Sequence, residues 1–167
     1  IPKREKGFDW ENVVPGNTKK TLWTSTYNID ELPQVIQPKS GYFYNTNHSP
    51  FLSTSEDENP KQNNFSSNMG FETYDNNRST RLKLLIDQNK KIDYDKFKEI
   101  KYDNTLPTPL AYSWMDINAL FDIDPKKYPD ISDIVIEIQN CDRKADVNSY
   151  GAGAYAILYF KLGKYYR

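Results

Sequence analysis

Residues 51–77 are mostly Ser, Asn, Asp and Glu, and this stretch limits the possible folds more than any other. So polar a segment cannot bury enough apolar surface to offset the entropy of ordering it as a helix. It is expected to be a long surface loop without regular structure, and loops of that length in compact domains are often functional or mobile. The chain therefore reads as a single domain in three parts: an irregular, strand-bearing segment over 1–50, the polar loop over 51–77 and a helical segment over 78–167. Inside the loop, Glu56, Asp57 and Glu58 read as a solvated face, with calcium-type oxygen ligation as the alternative.

The first part is rich in Trp, Tyr, Pro and turn residues and shows no helical period. Its clearest element is a strand, Gly41-Tyr42-Phe43-Tyr44-Asn45-Thr46-Asn47, entered through a Pro38-Lys39-Ser40-Gly41 turn. Alternation places Phe43, Asn45 and Asn47 on one face and Tyr42, Tyr44 and Thr46 on the other. The last part reads as helices. Leu82, Leu85 and Ile86 follow helical spacing, and Phe97 and Ile100 mark a second short helix with Asp93 as its N-cap. Thr108-Pro109 reads as an N-cap followed by Pro at the first helical position, ahead of the stripe Leu110, Trp114, Ile117 and Phe121. Ile131, Ile134, Val135 and Ile138 form another stripe. Residues 149–162 read as a well-buried helix in which Gly151 and Gly153 permit close backbone approach. These stripes are read as packing. The fold class is α+β: one or two strands followed by a mostly helical segment.

Composition removes several functions. Lys and Arg total 22 against 23 Asp and Glu, for a net charge of -1, so nothing favours nucleic acid. Cys141 is the one Cys and His48 the one His, which leaves no disulfide framework and no Cys- or His-rich metal site. Cys141 ends an apolar stripe and reads as a buried structural thiol. No Gly-x-Ser-x-Gly elbow and no Gly-rich phosphate loop occur. No apolar run approaches the ~18 residues of a membrane span. The opening Ile1-Pro2-Lys3-Arg4-Glu5-Lys6 is not a signal peptide, which would belong to a longer precursor. No cofactor and no metal are expected. With 13 Tyr, 8 Phe and 3 Trp, much of the apolar content is aromatic. Tyr and Asn richness would also suit a non-catalytic surface module that binds carbohydrate or peptide.

One stretch carries more information: Leu32-Pro33-Gln34-Val35-Ile36-Gln37-Pro38-Lys39-Ser40-Gly41-Tyr42-Phe43-Tyr44-Asn45-Thr46-Asn47-His48-Ser49-Pro50. It resembles a stretch in the β-chain of penicillin acylases and acyl-homoserine-lactone acylases, which are N-terminal-nucleophile hydrolases. Phe8-Asp9-Trp10 and Leu22-Trp23 resemble the tryptophan-bearing segment before it, and Arg78-Ser79-Thr80-Arg81-Leu82 the Arg-led helix after it. Residues Lys101-Tyr102-Asp103-Asn104-Thr105 and Ala145-Asp146-Val147-Asn148-Ser149-Tyr150-Gly151-Ala152 resemble later landmarks. The resemblance thus covers nearly the whole chain in order. Asp9-Trp10 and residues 30–34 look closer to the acyl-homoserine-lactone and aculeacin acylase branch.

The resemblance implies amide hydrolysis by a chain-terminal Ser whose own α-amino group is the base. It implies an αββα fold for the parent enzyme, with no cofactor. On the bare residues Asn47 is a turn cap into Ser49-Pro50; the resemblance gives it the role of oxyanion donor, with Asn45 on the same face but out of reach. Arg78, on the bare residues a surface charge, takes a site-ordering role. His48 reads as structural or solvent-facing. The family's mature β-chain starts with Ser, whereas Ile1 has no hydroxyl, so the resemblance implies a central part of the β-chain. The expected partners are the α-chain, the remaining β-chain and an acylated amine substrate. The chain alone is expected to turn over no amide. A full-length precursor is expected to be periplasmic or secreted. The family's late Trp-Asp is Cys141-Asp142 here.

Overall fold

The computed structural model describes residues 1–110 and 116–165. The chain divides into two compact units, residues 1–75 and 76–167. The first unit has neither an α-helix nor a strand. Its first residues are tied to residues 25–27 by an isolated antiparallel bridge between Pro2 and Thr26, flanked by Lys3 N–H donating to Ser25 O and Tyr27 N–H to Ile1 O, each at 2.9 Å. The polar stretch folds as successive single 3-10 turns, Pro50–Leu52, Glu56–Glu58, Gln62–Asn64 and Ser67–Met69. What is buried is as much polar as apolar: Tyr44 and Met69 beside His48, Ser49 and Thr54. Phe51 packs its ring on Phe65 at 5.7 Å and Phe71 at 6.1 Å between centroids.

The expected strand over Gly41–Asn47 is not formed, and among the described residues the chain has no strand at all. A strand needs a neighbour that pairs with it residue after residue. Tyr44 N–H does donate to Ser53 O at 2.9 Å, but the adjoining contacts come from side chains, as in Thr54 Oγ1 donating to Tyr42 O at 2.7 Å. Gly41 and Asn47, at φ 78 and 59, break the pleat at both ends. The alternation survives without the ladder: Phe43, Asn45 and Asn47 are exposed, whereas Tyr42, Tyr44 and Thr46 are covered.

The second unit is helical. Among the described residues its α-helices are α1 (Asn77–Asp87), α2 (Tyr94–Lys101), α3 (Ser132–Gln139) and α4 (Tyr150–Leu162). Asp93 caps α2 as expected, accepting Lys96 N–H at 2.9 Å. Leu110, Ile117 and Tyr155 form the core, joined by Leu106, Leu120, Phe121 and Tyr159. α3 packs on α4 and on the 3-10 helix Ile117–Phe121.

No helix starts at Thr108-Pro109, and Trp114 of the proposed stripe lies outside the described residues. The Asn118 amide takes both backbone groups of Leu110, donating to its carbonyl at 2.9 Å and accepting its N–H at 2.8 Å. The carbonyl is a group that a helix starting there would use. The 3-10 helix that follows is capped by Asp116, which accepts Asn118 N–H at 3.2 Å. The expectation of a well-buried α4 also fails: Ile157 is 66% and Phe160 72% exposed. The helix is apolar all round, and the unit's own residues cover one side of it. Gly151 permits the expected close approach, since a Cβ there would lie 2.5 Å from Cys141 Cβ, while Gly153 faces open space. Cys141 is half-buried, its sulfur accepting Arg143 N–H at 3.3 Å.

Candidate active site

Asn47 sits in a turn that its neighbours' side chains close. Asn45 Oδ1 accepts the N–H of Asn47 at 2.7 Å, an Asx turn. Thr46 N–H donates to Nδ1 of His48 at 3.1 Å, and Thr46 Oγ1 lies 3.2 Å from the same nitrogen. Asn47 occupies the left-handed region, which Asn tolerates better than most residues. The turn into Pro50 is capped by Ser49, whose Oγ accepts Phe51 N–H at 3.2 Å, leaving Asn47 exposed. His48, by contrast, is buried. It stacks on Tyr44 with ring centroids 4.9 Å apart, and its Nε2 lies 3.0 Å from Leu52 O. The backbone at Asn47 is thus held by the side chains of Asn45 and His48.

The polar stretch holds the Pro38–Gly41 turn that precedes this segment. Glu58 accepts the N–H groups of Lys39 and Ser40, the latter at 2.9 Å, and the hydroxyl of Ser55 at 2.8 Å. Ser40 Oγ lies 3.0 Å from Thr54 Oγ1, and Asn59 Oδ1 accepts Ser53 N–H at 2.8 Å and Thr54 N–H at 3.0 Å. Glu58 is therefore not part of a solvated face; it clamps the Pro38–Gly41 turn. Its carboxyl is lowered from 4.5 to about 2, first by the Ser40 side chain, then by Ser40 N–H, Ser55 and Lys39 N–H. A carboxyl depressed in the folded state contributes stability that is complete above 4.5 and is lost as pH falls through about 2. Hydrogen-exchange protection of the Ser40 amide should thus weaken across that interval, and Glu58→Gln should show the weakened protection already at neutral pH. Protection independent of pH from 5 to 2 would contradict the clamp.

Arg78 is the second residue of α1 and is exposed. The helix starts at an Asn76 N-cap whose Oδ1 accepts Ser79 N–H at 3.0 Å, while Ser79 Oγ accepts Asn76 N–H at 2.9 Å. Asn47 belongs to the first unit and Arg78 to the second. One turn along α1, Arg81 grips Asp103 through two parallel hydrogen bonds of 2.7 Å. The guanidinium holds the Asp103 carboxyl below the usual carboxylate range. The two later landmarks also meet: Thr105 bridges Lys144, Ala145 N–H donates to Asn104 O at 3.1 Å, and the Asn104 amide donates to Asp146.

The family resemblance, and not residue spacing, singles out Asn47 and Arg78; neither indicates the contacts made by His48, Glu58 and Arg81. The one His directly after Asn47, and an Arg one helical turn after Arg78, are the signals that the sequence holds for two of them. A cavity of about 710 Å³ lies among Arg4, Trp10, Phe51, Phe65, Phe71 and Tyr74, but Asn47 does not line it, so size alone does not make it the reacting centre. Among the described residues no group of three or more His, Cys, Asp or Glu converges as a metal site would require, and no helix is long and apolar enough to cross a membrane.

No solved structure matches the chain. The sequence model of the family described as penicillin amidase matches residues 1–166, taking in Asn47, Arg78 and both later landmarks. With nearly its full length matched, this chain belongs to the penicillin amidase family, hydrolases of acyl–amide bonds.

Proposed function

We propose that the chain supplies the side-chain half of an oxyanion hole to an acylase with a chain-terminal Ser nucleophile. The Ser hydroxyl attacks the amide carbonyl carbon, and the α-amino group of that Ser takes the proton. The tetrahedral oxyanion is held between a backbone N–H and Nδ2 of Asn47, and collapse expels the amine, which receives the proton. Arg78 takes the site-ordering role that the family resemblance gives it. The nucleophile, the α-chain and the remaining β-chain come from other segments of the processed enzyme.

The observation that carries this reading is the braced turn at Asn45–His48, which presents an exposed amide from a fixed backbone. His48 supports it from another side. Both of its ring nitrogens are engaged, by Thr46 and by Leu52 O, so the single imidazole of the sequence is not placed to activate a Ser hydroxyl. The substrate branch we favour is the long-acyl amides of the acyl-homoserine-lactone and aculeacin type, in a periplasmic or secreted enzyme. Expression of the complete precursor tests the scheme. The mature β-chain should start at Ser, and Ser→Ala there should abolish self-cleavage and amide turnover together. A mature enzyme that turns over amides without a terminal nucleophile would refute it. A panel of long-chain acyl-homoserine lactones beside penicillin G assigns the branch.

A further inference from the structure

We infer that His48 is a positioning residue for the oxyanion donor, acting through the turn that carries Asn47; the inference rests on the role proposed above for Asn47. Thr46 N–H donates to Nδ1 of His48 at 3.1 Å, so Nδ1 presents a lone pair and the ring proton sits on Nε2. Nε2–H then donates to Leu52 O at 3.0 Å, and the ring is further fixed by its stack on Tyr44. The imidazole thereby ties the Asn45–Thr46 peptide to the end of the 3-10 turn Pro50–Leu52, beyond the single backbone bond from Tyr44 N–H to Ser53 O. Asn45 Oδ1 fixes the peptide on the other side of Thr46. Between them the two side chains set the direction in which the Asn47 side chain leaves the backbone. An oxyanion donor must be in place before charge develops, so a small rotation of this turn weakens transition-state binding far more than substrate binding.

His48→Phe and His48→Asn, made in the complete processed enzyme, test this. Phe keeps a ring to stack on Tyr44 but has C–H where Nδ1 accepted. Asn loses the stack yet places Oδ1 near the position of Nδ1. Both lose the donor to Leu52. The expected result is a kcat about 10- to 100-fold lower for His48→Phe, with KM within about 2-fold of the parent. His48→Asn should recover most of the kcat although it is the less thermostable of the pair. A residue needed merely for folding would give the reverse order. In an Asn47→Ala background His48→Phe should cost nothing further, because the donor it positions is gone. Three results would overturn the inference: kcat unchanged in His48→Phe while Asn47→Ala lowers it, equal loss in both His48 variants, or full additivity with Asn47→Ala. If Asn47→Ala itself leaves kcat intact, the oxyanion role falls first and the positioning role with it, a distinct outcome.

Discussion

Asn47→Ala in the complete enzyme is expected to lower kcat by about 100-fold or more, equivalent to roughly 2.7–4 kcal/mol of transition-state stabilisation, with KM much less affected. The split follows from chemistry. The oxyanion exists only in the transition state, so a donor aimed at it contributes little to ground-state binding. The backbone at Asn47 adds a second consideration, because its φ of 59 disfavours Ala. Asn47→Gly removes the same amide without that strain, and the two variants should lose similar activity; a Gly variant near parental kcat would trace the Ala effect to the backbone. Asn45 supplies the contrast. Its Oδ1 holds Asn47 N–H at 2.7 Å, so Asn45→Ala loosens the turn without removing the donor. The loss of that one hydrogen bond, worth ~1 kcal/mol, should reduce kcat about 5-fold, and Asn45→Asp, which retains the acceptor, should restore it. Asn45 proving the more sensitive residue would place the oxyanion role wrongly.

Gly151→Ala should be the most damaging single-methyl change in the helical unit. The added Cβ would lie 2.5 Å from Cys141 Cβ and 2.7 Å from Glu137 O, a backbone atom that cannot move without shifting α3. Overpacking of this kind costs about 1–3 kcal/mol, against ~1 kcal/mol gained from the better helix propensity of Ala. Gly153→Ala, two residues on, meets open space and should be neutral or stabilising by up to ~1 kcal/mol. Hydrogen exchange of the α3 and α4 amides in each variant reads the difference locally. Faster exchange in Gly151→Ala and slower in Gly153→Ala is the expected pair. Equal effects would mean that α4 does not dock on α3 through Gly151.

Much of this arrangement is legible in the residue pattern where local chemistry decides it. The in–out alternation over 42–47 follows from side-chain period, and the Asp93 cap and the Arg78-bearing helix follow from capping residues and spacing. The ladder did not follow, because alternation reports which side is covered and says nothing of a pairing neighbour. The role of Glu58 was hidden for the same reason: its acceptors are satisfied by the amides of Lys39 and Ser40, far away in sequence. At Thr108–Leu110 the expected helix start is not formed, and there the Asn118 amide holds the Leu110 backbone. An apolar run such as 150–162 predicts a helix well but does not reveal how much of it the same chain covers.

The most direct test of the role of Asn47 is a crystal structure of the complete processed enzyme inactivated by a boronate or phosphonate that bonds covalently to the terminal Ser. One oxygen of that adduct stands where the oxyanion forms. Asn47 Nδ2 should lie about 2.7–3.1 Å from it, with Thr46 N–H still on His48 Nδ1. An adduct oxygen held by other donors, with the Asn47 side chain turned away from it, would contradict the role assigned here.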